Sequence, residues 1–342
     1  MENVAEPVVL AGTPAPEKEK GLTGSTLKII AIVTMFIDHA GAVLVERYLD
    51  SKGADLIPQV GQMDEETKRL ALVSLLDFFM RMIGRMAFPI FIFLLVQGFM
   101  YTHSRAKYVF RLALFALIAE LPFNLAFKGS LFTTSYQNVF FTITLGFLFL
   151  WFTEDLAFKC PLKMWHGLIC LVASSAALAF WAIGDVTAQF GVNLGRFTLK
   201  RMIPSAVGAI IIIAVLLIVY GVKKDLDRLW KISLSLVGLS VLIYIADFLR
   251  TDYGGLGVLA IATCYAFRKK NMLAFGLTCG VLSIFNLMEI FSFIAMVFVA
   301  FYNGKRGLKA KYFFYVFYPT HLFILHILSW ILGFYQGSPF GF

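Results

Sequence analysis

Residues 30–45, "IAIVTMFIDHAGAVLV", read as a membrane-crossing run interrupted at its middle by Asp38 and His39. The apolar flanks say where the segment sits. A helix rises about 1.5 Å per residue, so such a run with its neighbours approaches the roughly 30 Å of a hydrocarbon core. The pair says that the segment does something there, because a carboxylate and an imidazole are costly to remove from water.

The rest of the chain has the same character. Its 342 residues are 59% hydrophobic and 15% charged, with 36 Phe. A soluble domain does not have this composition. The alternating, period-two pattern of a membrane β-barrel is absent. The expected fold is therefore an all-α, polytopic transmembrane helical bundle of about eleven spans: 27–45, 79–102, 107–126, 138–153, 164–183, 204–222, 230–249, 254–267, 272–287, 289–302 and 311–334. The apolar stretch 272–302 is too long for one span and barely long enough for two, so ten is the alternative count. Residues 1–24, rich in Pro, Gly, Ala, Glu and Lys, are expected to form a disordered cytosolic tail, and 25–342 a single membrane domain. The charged start is not followed by a short apolar core and a cleavage site, so the first span is expected to act as an uncleaved anchor. Connections 46–78 and 184–203 exceed a turn, and the first shows a helical apolar pattern from Leu70 that fits an interfacial helix.

Nineteen of the 30 Lys and Arg fall on the segments that share a side with the N-terminus in an eleven-span bundle. Basic residues favour the cytosolic side, so the expected topology is N-in and C-out, and the expected location the bacterial cytoplasmic membrane. The same loops account for the +9 net charge beside anionic lipid. No nucleic-acid-binding pattern accompanies it. The four cysteines have no metal-ligand spacing and are expected to be free thiols.

The polar groups inside the spans follow a pattern. Eleven helical steps separate Lys28 from His39, about 16 Å and nearly a whole number of turns. The two residues thus share one stripe, a cation at the inner mouth and an imidazole near mid-membrane, with Asp38 a quarter turn away. Arg81 and Arg85 stand i,i+4 on the second span and are expected to pair with Asp38 or Glu120, to meet substrate, or both. Glu120 with Asn124 on the third span, Gln137 and Asn138 opening the fourth, and Asp252 and Tyr253 at another helix start gather in the outer half. Tyr318 and His321 lie one turn apart near the middle of the last span, while His326 points elsewhere and reads as structural. The inner mouth is basic: Lys28, Arg105, Lys107, Arg111, Lys305, Arg306, Lys309 and Lys311. Such a cluster fits a polyanionic nucleotide as well as it fits topology charges.

These residues fall within a series of blocks that resembles the TraX family of bacterial membrane proteins, known for N-acetylation of conjugative pilin. The blocks, in order, are "LKIIAIVTMFIDH", "GRMAFPIFIFLLVQGFMYT", "KYVFRL", "ELPFNL", "QNVFFT", "DYGGLG" and "NGKRGLKAKYFFYVFYPTHLFIL". They cover nearly everything from 24 to 330. The family is similar in turn to a wider group of transmembrane acyltransferases, one branch of which carries an Arg separated by ten residues from a catalytic His that follows it. Lys28 and His39 have that spacing, with Lys in place of Arg. Asn124 stands where the family is expected to have Asp, which removes acid/base chemistry from that position.

The resemblance implies transfer of an acetyl or other acyl group from a CoA thioester to an acceptor that is a pilin-like peptide, a glycan or a lipid. His39 and Asp38 would be catalytic, His39 as base and Asp38 as its orienting partner. Arg85, Arg81, Glu120, Asn138, Tyr318 and His321 would meet the acceptor or the developing oxyanion. Lys28, Arg111, Lys305 and Arg306 would hold acetyl-CoA, the donor substrate. No metal site and no permanently bound cofactor is expected. The alternatives are a proton-coupled transporter, in which Asp38 and His39 relay protons, and a non-catalytic assembly factor of a secretion or conjugation system. No internal repeat of the transporter kind is visible.

Overall fold

The computed structural model describes residues 21–53, 64–195, 198–308 and 311–340. Among these the protein is helical throughout, and pairing of extended backbone is confined to two isolated bridges, Leu22 with Tyr302 and Gln137 with Thr251. The helices are α1 (Gly24–Ala40), α2 (Glu46–Ser51), α3 (Glu65–Gly84), α4 (Ala87–Tyr101), α5 (Arg105–Lys128), α6 (Val139–Phe152), α7 (Met164–Gln189), α8 (Leu199–Gly221), α9 (Leu226–Phe248), α10 (Gly254–Ala266), α11 (Asn271–Phe285), α12 (Met296–Ala300) and α13 (Lys311–Ile331). A π-helical stretch, Gly41–Val45, joins α1 to α2, another, Thr153–Ala157, extends α6, and a 3₁₀ stretch, Leu287–Ala295, leads into α12.

Among the described residues eight helical segments are long and apolar enough to cross a membrane, and three shorter apolar ones lie at 254–266, 271–284 and 287–300. The three short segments stand where the sequence predicts spans 254–267, 272–287 and 289–302. Their length explains why that region is ambiguous: at about 1.5 Å per residue each falls short of a full crossing. The long apolar stretch breaks at Asn286, whose extended backbone (φ −150°, ψ 110°) ends α11 and whose side chain accepts from the Met288 amide. The chain then folds back along α11.

Both long connections are shorter than the sequence predicts. Helix continues through α2 to Ser51 and restarts at Glu65, where Asp64 accepts from the Thr67 amide as an N-cap. The α3–α4 pair runs for 37 residues, interrupted only at Arg85 and Met86, and is longer than a membrane crossing needs. The connection expected at 184–203 is taken up by α7, which reaches Gln189, and α8, which begins at Leu199. The expected tail, 1–24, lies outside the described residues up to position 20.

The central helix is α4. Phe93 and Phe99 are its fully buried anchors, packed with Phe147 of α6, Ile261 of α10 and Phe275 of α11. A second cluster, Ile32, Met35, Phe123, Tyr318 and Leu322, joins α1, α5 and α13 around the polar groups discussed below. On the far side α7, α8 and α9 pack as a group, and α8 buries only 6% of its apolar window. A helix that is apolar and leaves most of its surface exposed beside its neighbours is one that lipid can cover.

Candidate functional site

Three chain segments bring the site together. The first is α1, which carries Asp38 and His39 in its last turn and goes over to π-helix two residues later. The geometry there is tight. A Cβ on Gly41 would lie 2.8 Å from Asp77 Oδ1, and a Cβ on Gly84 would collide with the Asp38 carboxylate. Glycine at both positions lets α3 approach α1 closely enough for charged side chains to meet.

The second segment is the α3–α4 junction. Arg81 Nη1 donates to Asp38 Oδ2 at 2.8 Å and to the Asp38 carbonyl at 3.2 Å. Arg85 Nη2 donates to Asp38 Oδ1 at 3.0 Å, and its Nη1 donates to Glu289 Oε1 at 2.9 Å. Arg81 Nε also lies 3.5 Å from Glu46. Asp38 is thus gripped on both oxygens, and Arg85 bridges the half-buried Asp38 and the buried Glu289. Glu289 is 1% exposed, and its second oxygen has no partner among the described residues. These pairs are costly to desolvate, and removing one member would leave the others uncompensated.

The third segment is α13. Pro319 sits inside it, between Tyr318 and His321, both of which are buried. His321 Nε2 lies 2.7 Å from His39 Nδ1, and His321 Nδ1 lies 2.8 Å from the Phe317 carbonyl. His39 is therefore partnered by His321, and the expectation that Asp38 orients it gives way to a different arrangement. Asp38 points to the arginines because two guanidiniums offer it charge-assisted bonds that a neutral imidazole cannot match. Phe127 and Tyr318 present their edges or faces to the His39 ring at 5.6 and 5.9 Å.

These groups surround a cavity of about 150 Å³. Asp38, His39, Arg81, Arg85, Tyr136, Asp252, Tyr253 and Tyr318 are its polar lining, and Phe88, Phe91, Phe123 and Phe127 supply most of the apolar wall. Tyr136 and Asp252 arrive together because the chain before α6 pairs with the chain before α10: the Gln137 amide donates to the Arg250 carbonyl at 3.0 Å and the Asp252 amide to the Gln137 carbonyl at 2.8 Å. The Tyr136 hydroxyl then donates to Asp252 Oδ1 at 2.5 Å.

Other expected site residues serve different purposes. Asn138 is the N-cap of α6: its Oδ1 accepts from the Phe140 amide at 3.0 Å, and its Nδ2 donates to the Ala116 carbonyl at 2.8 Å and to Glu120 at 2.5 Å. Glu120 and Asn138 therefore fasten α6 to α5, and neither lines the cavity. Lys28, Arg111, Lys305 and Arg306 also stand away from it. Lys28 Nζ lies 5.4 Å from the centre of the Phe314 ring, and Arg111 lies 5.5 Å from that of Tyr108. The segment bearing Lys305 and Arg306 clamps the start of α1, since their carbonyls accept from the Gly24 and Ser25 amides at 2.7 and 2.9 Å. The cations thus gather at one end of the bundle, with Lys309 outside the described residues. His326 Nδ1 accepts from Arg47 Nη1 at 3.3 Å, in a cluster where Arg47 also donates to the Leu125 and Ala126 carbonyls.

Sequence reading passed over Glu289 and Tyr136. Glu289 had a legible signal, a lone acid within the apolar "NLMEIFSF", which is the same anomaly that marks Asp38. Tyr136 had none, since a tyrosine near a span end is ordinary.

The profile of a family described as TraX protein matches residues 23–239 and 210–329. The probable fimbrial assembly protein FimC, serogroup H1, of Dichelobacter nodosus is 24% identical over 309 residues, covering 87% of this chain and 92% of its own. No solved structure shows significant similarity to the chain. The matched segments take in every residue of the cavity, from Met35 to Tyr318, and on that match the chain belongs to the TraX family of membrane proteins.

Proposed function

We propose that the protein is a membrane-embedded acyltransferase that moves an acetyl group from acetyl-CoA to an acceptor reached from the membrane or its outer face. The observation that carries this reading is the His39 ring, fixed by a hydrogen bond to His321 on the wall of a small cavity beside two arginines. Acyl transfer asks for a base to take the acceptor's proton and for donors to meet the developing oxyanion. His39 is the base. Tyr318, Arg81 and Arg85 are the nearest donors on the same wall. As the acceptor atom attacks the thioester carbonyl, its proton passes to His39. The C–S bond breaks, and His39 returns the proton to the departing thiolate, so the ring ends as it began.

The cavity is smaller than the roughly 300–1,000 Å³ of pockets that hold whole ligands. It suits an acyl group and the attacking atom, and the nucleotide of the donor stays at the basic end, near Lys28 and Arg306. With that end in the cytosol, as the charge distribution favours, the donor enters from inside and the membrane is the bacterial cytoplasmic membrane. Pilin-like peptides fit the family, whose relative in Dichelobacter nodosus is named for fimbrial assembly. That name also favours a second reading, a non-catalytic assembly factor. Purified protein incubated with labelled acetyl-CoA and isolated membranes separates the two: label transferred to an acceptor by wild type and lost in His39→Ala supports the enzyme, and no label with a well-folded wild type sinks it.

A further inference from the structure

The two histidines form a directed chain, and its direction has a consequence. A main-chain carbonyl can only accept, so the Phe317 carbonyl, 2.8 Å from His321 Nδ1, requires a proton on that nitrogen. In the neutral ring His321 Nε2 then carries a lone pair. His39 Nδ1, 2.7 Å away, must be its donor. A neutral His39 with its proton on Nδ1 carries its own lone pair on Nε2. The ring planes are within 5° of parallel, with centroids 5.0 Å apart. With the two nitrogens so close, that separation sets the rings edge to edge in nearly one plane, where an N–H and an in-plane lone pair meet head on.

We propose that His321 is a positioning residue which holds His39 in its Nδ1–H tautomer, so that the basic Nε2 is the nitrogen available to the cavity. The neutral imidazole in water favours the opposite tautomer, with the proton on Nε2. Without an acceptor at Nδ1, His39 would mostly present a donor to the cavity and could not take a proton there. With His321 in place the lone pair is set before substrate arrives. Protonation at Nε2 also needs no rearrangement: the imidazolium keeps its Nδ1–H on His321, and the bond strengthens as it becomes charge-assisted. A pair that existed only to satisfy two buried rings would place no constraint on which His39 nitrogen meets the cavity. The anchor on the Phe317 carbonyl supplies that constraint. Pro319, between the two residues, holds this part of α13 in a defined turn.

The purpose of the pairing rests on the acetyl-transfer reading, but the pairing itself does not, and the test separates them. The chain has five histidines, few enough for ring-¹⁵N spectroscopy of histidine-labelled protein, with His39 assigned by its loss in His39→Gln. Wild-type His39 should show a protonated Nδ1 and a bare Nε2. Gln at 321 can present its amide oxygen where His321 Nε2 stands, whereas Asn is too short. His321→Gln should therefore keep the tautomer and stay within about tenfold of wild-type transfer. His321→Asn should flip it and lose roughly 100-fold or more, because a wrong tautomer in a serine-protease triad costs about 10⁴-fold. Wild-type His39 protonated at Nε2 overturns the proposal without recourse to any variant, as does a folded His321→Asn that leaves the tautomer unchanged. If wild type shows the expected spectrum but transfers no acetyl group, the enzyme reading fails and the positioning role stands.

Discussion

Two aspartates, Asp247 of α9 and Asp38 of α1, are used in opposite ways. Asp247 of α9 accepts from the Trp181 indole at 2.7 Å and from the Gly255 amide at 2.6 Å. Its partners are neutral, and its work is to fasten α7 and the start of α10 to α9. Asp38 of α1 is gripped by two guanidiniums, and one of these also reaches the buried Glu289. The arginines differ in parallel. Arg201 of α8 donates to the Phe180 carbonyl at 2.9 Å and lies over the Phe180 ring, and among the described residues it makes no ion pair. Where polar groups end on backbone and indole, they fasten helices to one another. Where several charges converge on a cavity beside an imidazole, apolar side chains of the same size would stabilise the bundle as well or better, and the proposed acyl transfer is what accounts for them.

The contrast is broken first by His39. General-base assistance is typically worth about 100- to 10,000-fold, so His39→Ala should lose that much acetyl transfer while remaining monodisperse. Near-full activity in the folded variant would place the cavity side on the same footing as the α7–α9 side. Arg85 comes next. Its removal leaves Asp38 with Arg81 and leaves Glu289 with no ion-pair partner among the described residues, so Arg85→Ala should cost about 3–5 kcal/mol in unfolding measured in detergent. Arg201→Ala leaves carbonyls that water or lipid headgroups can reach and should cost about 1 kcal/mol. Equal losses in the two variants would mean that the charges at the cavity are ordinary struts.

The glycines give a smaller separation. Gly84→Ala forces Asp38 aside and should cost about 1–3 kcal/mol together with part of the activity. Gly221→Ala at the end of α8 meets nothing within 4 Å and should change stability by less than about 1 kcal/mol, in either direction. The last test carries no energetic cost. In a background with Cys160 and Cys170 replaced, Asn193→Cys should react with an impermeant thiol reagent applied from outside, and Lys223→Cys and Lys305→Cys should not. The reverse pattern would invert the path proposed for the donor.

Much of this was legible in the linear sequence. Hydropathy is additive along a helix, so the bundle, the eleven apolar segments and the anomaly at Asp38 and His39 follow from composition and the 1.5 Å rise alone. The split at Asn286 was visible as an excess of length. What the chain could not declare was which polar group meets which. Asp38 and His39 are neighbours in sequence but point to different partners, because successive residues on a helix diverge by about 100°. His39 finds His321, 282 positions away, and Arg85 finds Glu289, 204 positions away. Glu120 and Asn138 look like site residues by type and depth, yet they spend their hydrogen bonds on the start of α6. Span, depth and cost are properties of one helix in lipid, and a sequence contains them. Partnership depends on how helices rotate against one another, and that is set by packing contacts such as Gly84 on Asp38, which only the tertiary structure determines.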